Sequence, residues 1–257
     1  KSNHKYLLND EKIHFYEIEE QLDLENDSKE TLKIVQNLNP DILVIDSYAI
    51  ESKWERYVYT NSNLKLVVID DLANRKHYCD LLIDQSFLRE KIDYIPLMEK
   101  DAQIFCFIEY AMLREEFSKA RAISLKKRKK FKLKRILINF GGTDPNNVTL
   151  SLVKKLSEMP KAKYKFSILV GINYKEKKAL NDAVMSLPNF EVVANPKSVS
   201  NLLLNTDLVI GAGGTSAWER CCLGIPSFLL KIADNQTFIL EKFNEYELAF
   251  VPPVSNT

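Results

Sequence analysis

Two glycine turns carry the densest chemical signal in this sequence. The first, Gly141-Gly142-Thr143-Asp144-Pro145, follows the apolar run Ile136-Leu137-Ile138. The second, Gly211-Ala212-Gly213-Gly214-Thr215-Ser216, follows Leu208-Val209-Ile210 and leads into Ala217-Trp218-Glu219. A turn without bulky side chains, between a strand and a helix, lets backbone N–H groups converge with the positive end of a helix dipole. That point suits a phosphate. Two such turns about 70 residues apart suggest a cleft for a nucleoside diphosphate. Gly141, Gly142, Thr143, Gly213, Gly214, Thr215 and Ser216 are therefore candidate nucleotide contacts. Structural readings stand beside this one. Asp144 before Pro145 makes a good N-cap, Ser216 with Glu219 matches a capping box, and Gly224 before Pro226 is placed to close a helix. Glu219 could instead accept the two hydroxyls of a ribose.

Carboxylates and amides supply further candidates. Asp46, Asp70 and Asp71 end apolar runs, where carboxylates can act as acid and base or cap helices. Asn235 and Gln236 follow the apolar run 227–232, and their amides suit sugar hydroxyls or acetamido groups. Asp234 or Asn235 could equally cap a helix. His77 stands alone in a polar stretch and reads as structural, while His4 and His14 fall in no pattern. No lysine follows a glycine loop in the phosphate-binding pattern, and no acidic motif suits a metal. Cys79, Cys106, Cys221 and Cys222 lack paired spacing and read as reduced thiols of a cytoplasmic protein. No metal and no cofactor is expected.

The elements that must position these groups alternate. A possible capping box at Asp27 and Glu30 opens a helix to about Leu38, and Ser52 with Glu55 opens another. Residues 41–46, 64–71, 80–84, 135–140, 164–170, 190–194, 208–210 and 227–232 read as buried strands, with helices at 176–185 and 199–204. Short apolar strands alternating with helices predict a parallel sheet covered on both faces. The rhythm breaks at residues 118–134, which contain Lys126-Lys127-Arg128-Lys129-Lys130 and read as a solvated basic linker. Three segments follow: an N-terminal Rossmann-like domain (1–117), the linker (118–134) and a C-terminal Rossmann-like domain (135–257).

The net charge of +1 excludes a global pull toward nucleic acid or an anionic membrane. A hydrophobic content of 46% with 28% charged residues is that of a water-soluble globular protein. No apolar run reaches membrane-spanning length. Oligomeric state has no signature here.

Longer stretches add a resemblance. Asp70-Asp71-Leu72-Ala73-x-Arg75-x-His77-x-Cys79-Asp80-Leu81-Leu82-x-Asp84-Gln85 is similar to a segment typical of the UDP-2,4-diacetamido-2,4,6-trideoxy-β-L-altropyranose hydrolases of pseudaminic acid biosynthesis. Tyr110-Ala111-Met112-Leu113-Arg114-Glu115-Glu116-Phe117, both glycine turns and Asp234-Asn235-Gln236 also look like that family. The glycine turns alone are shared with the wider GT-B glycosyltransferases, including the lipid II GlcNAc-transferase. The resemblance implies an α/β fold of two Rossmann-like domains facing each other across a cleft. It implies a UDP-sugar substrate, and metal-independent water attack at the anomeric carbon that releases UDP. Glu219 would hold the ribose. Asn235, Tyr48 and Asp46 would form the catalytic side, with Asp70, Asp71 and Gln236 at the sugar. The family's opening glycine–histidine turn, which supplies the expected base, has no counterpart here. The first domain is thus expected to lack its first strand, turn and helix, and the chain by itself to be inactive. The glycine usually found before the tyrosine motif is replaced by Phe107 or Ile108. A glycosyltransferase using a UDP-sugar donor, or a non-catalytic nucleotide-sugar-binding module of polysaccharide or spore-coat assembly, are the alternatives.

Overall fold

The computed structural model describes residues 13–18, 22–130, 132–158 and 163–252. His4 and residues 253–257 lie outside that set. The chain divides into two compact units, Lys1–Ala111 and Met112–Thr257.

In the first unit Asp23 caps helix α1 (Leu24–Leu38) by accepting the Asn26 N–H at 2.8 Å. Asp27, expected as the cap, lies inside the helix and accepts from Trp54 Nε1 instead. Asn39 ends the helix in the left-handed region (φ 46°). Then come β1 (Ile42–Ile45), α2 (Ser52–Thr60), β2 (Lys65–Ile69), β3 (Leu81–Asp84), α3 (Lys91–Tyr94) and β4 (Gln103–Cys106). The four strands pair in parallel in the order β1-β2-β3-β4. β4 was not expected: only Ile104 and Cys106 of its four residues are buried, too brief a pattern to read as a strand. Ser52 is the first residue of α2 rather than its cap, and Glu55 turns into the core to meet His77. Val58, Leu66, Val68, Cys79, Leu82 and Tyr94 form the centre of that core.

The second unit runs α4 (Glu115–Arg128), β5 (Arg135–Asn139), α5 (Val148–Ser157), β6 (Lys165–Val170), α6 (Lys177–Val184), β7 (Phe190–Ala194), α7 (Val199–Leu204), β8 (Leu208–Ala212), α8 (Ser216–Cys222), β9 (Ser227–Leu230) and α9 (Thr237–Glu245). All strands are parallel, in the order β7-β6-β5-β8-β9. Strand side chains alternate between faces. Ile136 and Ile138 of β5 enter one apolar cluster with Leu150, Val153 and Leu180. Leu137 enters the opposite one with Phe117, Leu203 and Val209. Both faces are therefore covered, as a buried parallel strand requires.

The basic stretch 118–134 is not a solvated linker. Most of it lies in α4, which buries Phe117, Ala120 and Ser124. Arg121 donates to the Cys222 carbonyl, Lys127 to that of Leu204, and Arg128 to those of Leu203, Thr206 and Leu223. Helix C-termini leave carbonyls without intrahelical partners and carry negative dipole ends. These cations satisfy both needs at the ends of α7 and α8. The sequence displays the charges but not the carbonyls they serve.

Candidate functional site

In the second sheet the chain steps from β5 to β6 and β7 on one side, then returns to place β8 and β9 on the other. The direction of winding reverses between β5 and β8. In open α/β sheets ligands bind at that reversal, beyond the carboxyl ends of the strands. The two glycine turns follow these two strands. Asn139 and Gly211 are paired neighbours, so the turns emerge side by side. A Cβ on Gly211 would lie 2.4 Å from the Asn139 carbonyl oxygen, so close approach demands glycine there.

The two turns differ in what they leave open. In the first, Gly141 (φ 92°), Gly142 and Thr143 are exposed. Asp144 is buried, and its carboxylate accepts the N–H of Val148 at 3.0 Å and of Thr149 at 2.7 Å. Asn147, not Asp144, stands at the N-cap of α5 and makes no side-chain cap bond, so Asp144 caps the helix from three residues further out, through its carboxylate. The N–H groups that open α5 are spent on the protein itself, leaving only the loop of Gly141, Gly142 and Thr143 for a ligand.

The second turn is open. Thr215 stands at the N-cap of α8 and forms no side-chain cap bond. Ala217 N–H and Trp218 N–H bond to the carbonyls of Gly214 and Thr215. Among the described residues no group accepts from the N–H of Thr215 or Ser216. Gly213 is buried, and a Cβ there would press on Leu240 at 2.7 Å. Gly214 has room, since its Cβ would meet only Gln236 Nε2, at 3.8 Å.

Behind this turn lies Arg220, 2% exposed. It donates to the Ala212 carbonyl and, at 3.1 Å, to Ser216 Oγ. Burial pulls its pKa down to about 10. It remains a cation, held under the turn where an anion would sit above. Its position four residues after Ser216 was the only signal available in the sequence.

Glu219 makes no capping box. Its carboxylate accepts from Arg114 Nη2 at 3.2 Å, while Arg114 Nη1 pairs with Glu116 at 2.9 Å. Burial raises the pKa of Glu219 and Arg114 pulls it back. The result is a partly accessible acceptor held by one arginine. Arg114 lies in the tyrosine motif, yet only the fold shows that it meets Glu219.

Residues 234–236 form a short turn before α9. Gln236 is buried, accepts the Ile232 N–H at 3.1 Å through Oε1, and keeps its Nε2 beside Gly214. Its amide is thus half committed to the backbone. Asn235 is exposed on the same turn, and Asp234 pairs with Lys231 at 2.9 Å.

In the first unit the carboxyl edge gathers acidic groups. Asp46 and Tyr48 after β1 are exposed, and Tyr48 donates to Asp71 Oδ2 at 3.2 Å. Burial raises the pKa of Asp71, opposed by the Tyr48 hydrogen bond and reinforced by the charges of Asp70, Asp84 and Asp46. Asp70, expected at the sugar, is instead enclosed and internally spent. It accepts from Ala73 N–H (2.9 Å) and Tyr94 hydroxyl (2.8 Å) and pairs with Arg75 at 2.6 Å. Burial opposes its ionisation, but these partners hold its pKa below the usual value. A fully enclosed carboxylate, with Oδ2 hydrogen-bonded and Oδ1 ion-paired to Arg75, has no face open to a ligand. His77 is likewise enclosed, with Nδ1 2.8 Å from Glu55 Oε1.

All four cysteines are free thiols. Burial pushes Cys79 up to about 12 and Cys106 up to about 11, so neither is poised as a nucleophile. Among the described residues no His, Cys, Asp and Glu grouping could hold a metal ion, and no helix is long and apolar enough to cross a membrane.

No protein-family model matches the chain. Three curated proteins are similar to it. An uncharacterized protein of Methanocaldococcus jannaschii, MJ1062, is 25% identical over 210 residues, 80% of this chain and 43% of the relative. The spore coat polysaccharide biosynthesis protein SpsG of Bacillus subtilis is 22% identical over 82% of this chain and 62% of its own length. The UDP-2,4-diacetamido-2,4,6-trideoxy-β-L-altropyranose hydrolase of Campylobacter jejuni is 25% identical over 70% of this chain and 62% of its own. The resemblance read from the motifs thus reappears as similarity over 70% of this chain. The matched region spans 43% to 62% of these relatives' lengths. Solved structures similar in fold include MurG of Acinetobacter baumannii (TM-score 0.55, 12% identity, 89% of this chain and 64% of that one). UDP-GlcNAc 2-epimerase of Neisseria meningitidis bound to UDP-GlcNAc follows (0.56, 12%, 87% and 69%). So does the spinosyn rhamnosyltransferase SpnG with thymidine diphosphate (0.58, 17%, 89% and 64%). At these identities the likeness establishes a GT-B-like α/β fold of two Rossmann-like units.

Proposed function

We propose that this chain belongs to a UDP-sugar-acting enzyme of carbohydrate biosynthesis, with the second unit on the UDP side and the first on the sugar side. One observation carries the reading. The two glycine turns flank the winding reversal of the second sheet, and the β8 turn leaves the entrance of its helix uncapped over a buried arginine. In this reading the N–H groups of Thr215 and Ser216 receive a phosphate, Arg220 adds positive charge beneath it, and the Gly141–Thr143 loop lines the neighbouring wall. Glu219, held by Arg114, accepts the ribose hydroxyls. Asn235 and the free side of the Gln236 amide face the sugar.

The finer reading is hydrolysis. Water attacks the anomeric carbon, the bond from that carbon to the diphosphate oxygen breaks, and UDP leaves with its electron pair. Preorganised N–H donors at the second turn stabilise the charge that develops on the departing phosphate. Tyr48 and Asp71, joined by their hydrogen bond, are the polar pair available on the sugar side. Similarity to the Campylobacter hydrolase supports this choice. A glycosyltransferase, in which an acceptor hydroxyl replaces water, is supported by the fold likeness to MurG and SpnG.

Calorimetric titration with UDP tests the site. Gly214→Val fills the phosphate position while its Cβ meets nothing closer than 3.8 Å. UDP binding by the natural chain and its loss in the variant are expected; equal affinity in both sinks the phosphate assignment. Incubating UDP-2,4-diacetamido-trideoxy-altropyranose in ¹⁸O-water then separates the reactions. UDP released without ¹⁸O means water attack at the anomeric carbon, ¹⁸O in the UDP means attack at phosphorus, and UDP release only on addition of a sugar or lipid acceptor means transfer.

A further inference from the structure

At the opposite edge of the second sheet, where strands begin, a cavity of about 180 Å³ is lined by Lys127, Arg128, Lys130, Lys132, Lys134, Arg135 and Asp207. The cations come from the last turn of α4 and from the approach to β5, and Asp207 immediately precedes β8. Asp207 is the one carboxylate of this lining, and one of its oxygens already accepts the backbone N–H groups of Lys134 at 3.0 Å and Arg135 at 2.8 Å. Among the described residues none of the six cations forms an ion pair.

Helix capping explains part of this cluster. Lys127 and Arg128 donate to the carbonyls that end α7, which fixes their positions. It does not explain Lys130, Lys132, Lys134 and Arg135, whose side chains add charge around the same hollow without serving a carbonyl. Burial, together with the cations Arg135 and Arg128, lowers the pKa of Lys127, against the pull of Asp207. Crowded like charges of this kind are relieved by a bound anion. Two of the cations are preorganised by their carbonyl bonds, and the others line the same cavity. Six positive charges against one suit an anion carrying at least two negative charges, and lysine and arginine are the side chains that hold phosphate oxygens.

We propose that this cavity is a second anion site, specific for a phosphate-bearing group of charge −2 or more and separate from the glycine turns. β5 itself spans about 13 Å between the two edges, so one ligand phosphate cannot occupy both. The group is either a free phosphorylated metabolite or the headgroup of an anionic lipid, and the two sources share this chemistry.

The test is titration with inorganic pyrophosphate at low salt in a Gly214→Val background, whose glycine turn is blocked, with UDP affinity read in the natural background. Binding is expected, and Lys130→Ala/Lys134→Ala should weaken it about tenfold while UDP affinity stays unchanged. Neither side chain forms a described hydrogen bond, and an unchanged melting temperature would show that the variant folds. Flotation with phosphatidic acid vesicles, against phosphatidylcholine vesicles, assigns the source. Flotation lost in the double variant means a lipid headgroup; no flotation with pyrophosphate retained means a free ligand. Either supports the site. Neither ligand bound while Lys130 and Lys134 are in place, or binding equal in the double variant, overturns it.

Discussion

Asp144→Ala separates a capping turn from a phosphate turn. Asp144 accepts two backbone N–H groups, those of Val148 and Thr149, and Thr149 is buried. Loss of an N-cap costs about 1 kcal/mol. A buried N–H left without a partner adds roughly 1–3 kcal/mol. Asp144 also sits at φ 39°, where alanine costs about 1 kcal/mol more than aspartate. The expected loss is therefore about 4 kcal/mol in the second unit. At a urea dependence of about 2 kcal/mol per molar, the midpoint falls by about 2 M. Asp144→Asn keeps one acceptor oxygen and tolerates the left-handed backbone, so about half the loss is expected. The two tryptophans simplify the assay: Trp54 lies in the first unit and Trp218 in the second. In a Trp54→Phe background, fluorescence during urea unfolding reports the second unit. UDP affinity of the folded variant should change less than about twofold, because α5 offers the ligand no free helix-opening N–H. The reasoning is refuted if the midpoint hardly moves while UDP affinity drops tenfold or more.

Other outcomes follow from single groups. Burial raises the pKa of Glu219, and accepting ribose hydroxyls needs the carboxylate. UDP affinity should therefore be full at neutral pH and decline on acidification, beginning above the ordinary glutamate value of about 4.3. Calorimetry across that range should show Glu219→Gln weaker at neutral pH and lacking this component of the decline; identical profiles for the two proteins would remove Glu219 from the site. Phe107 has φ 106° and ψ 161°, a region suited to glycine. Phe107→Gly relieves roughly 1–3 kcal/mol of strain and loses the ring's packing on Phe87 at 5.8 Å. Phe107→Ala loses the packing and keeps the strain. The expected order of melting temperatures places the glycine variant above the alanine one, and the reverse order would deny the strain. Tyr94 donates to Asp70 at 2.8 Å and lies 2.9 Å from Asp84, with its hydroxyl between the two buried carboxylates. Tyr94→Phe should cost about 3 kcal/mol in the first unit, read by Trp54 fluorescence, because two buried charges lose a donor; a cost below about 1 kcal/mol would mean that water replaces it.

Much of the fold is written locally. Apolar runs bounded by turn residues marked eight of the nine strands, because a buried parallel strand needs uninterrupted apolar side chains and a sharp exit. Gly224, at φ 62°, closes α8 as its place before Pro226 implied, since that conformation is set by one residue's own sterics. The glycine turns were legible for the same reason, and the long motif from Asp70 to Gln85 carried a resemblance that similarity over 70% of the chain repeats. What local reading could not decide was the partner of each polar group. Asp70 and Asp71 are adjacent in sequence, yet one is sealed against Arg75 and Tyr94 while the other faces Tyr48. The charge run at 126–130 looked like a solvated tether, but the carbonyls it caps lie about 75 to 100 residues further along the chain. Glu219 and Arg114 are separated by 105 positions. Which of two similar glycine turns keeps its N–H groups open was also settled in space, by whether a carboxylate folds back onto the helix. Strand order, and with it the winding reversal that sets the turns side by side, is a property of the assembled sheet. A sequence specifies the groups and their local conformation, whereas long-range pairing depends on which surfaces the packed chain brings within bonding distance.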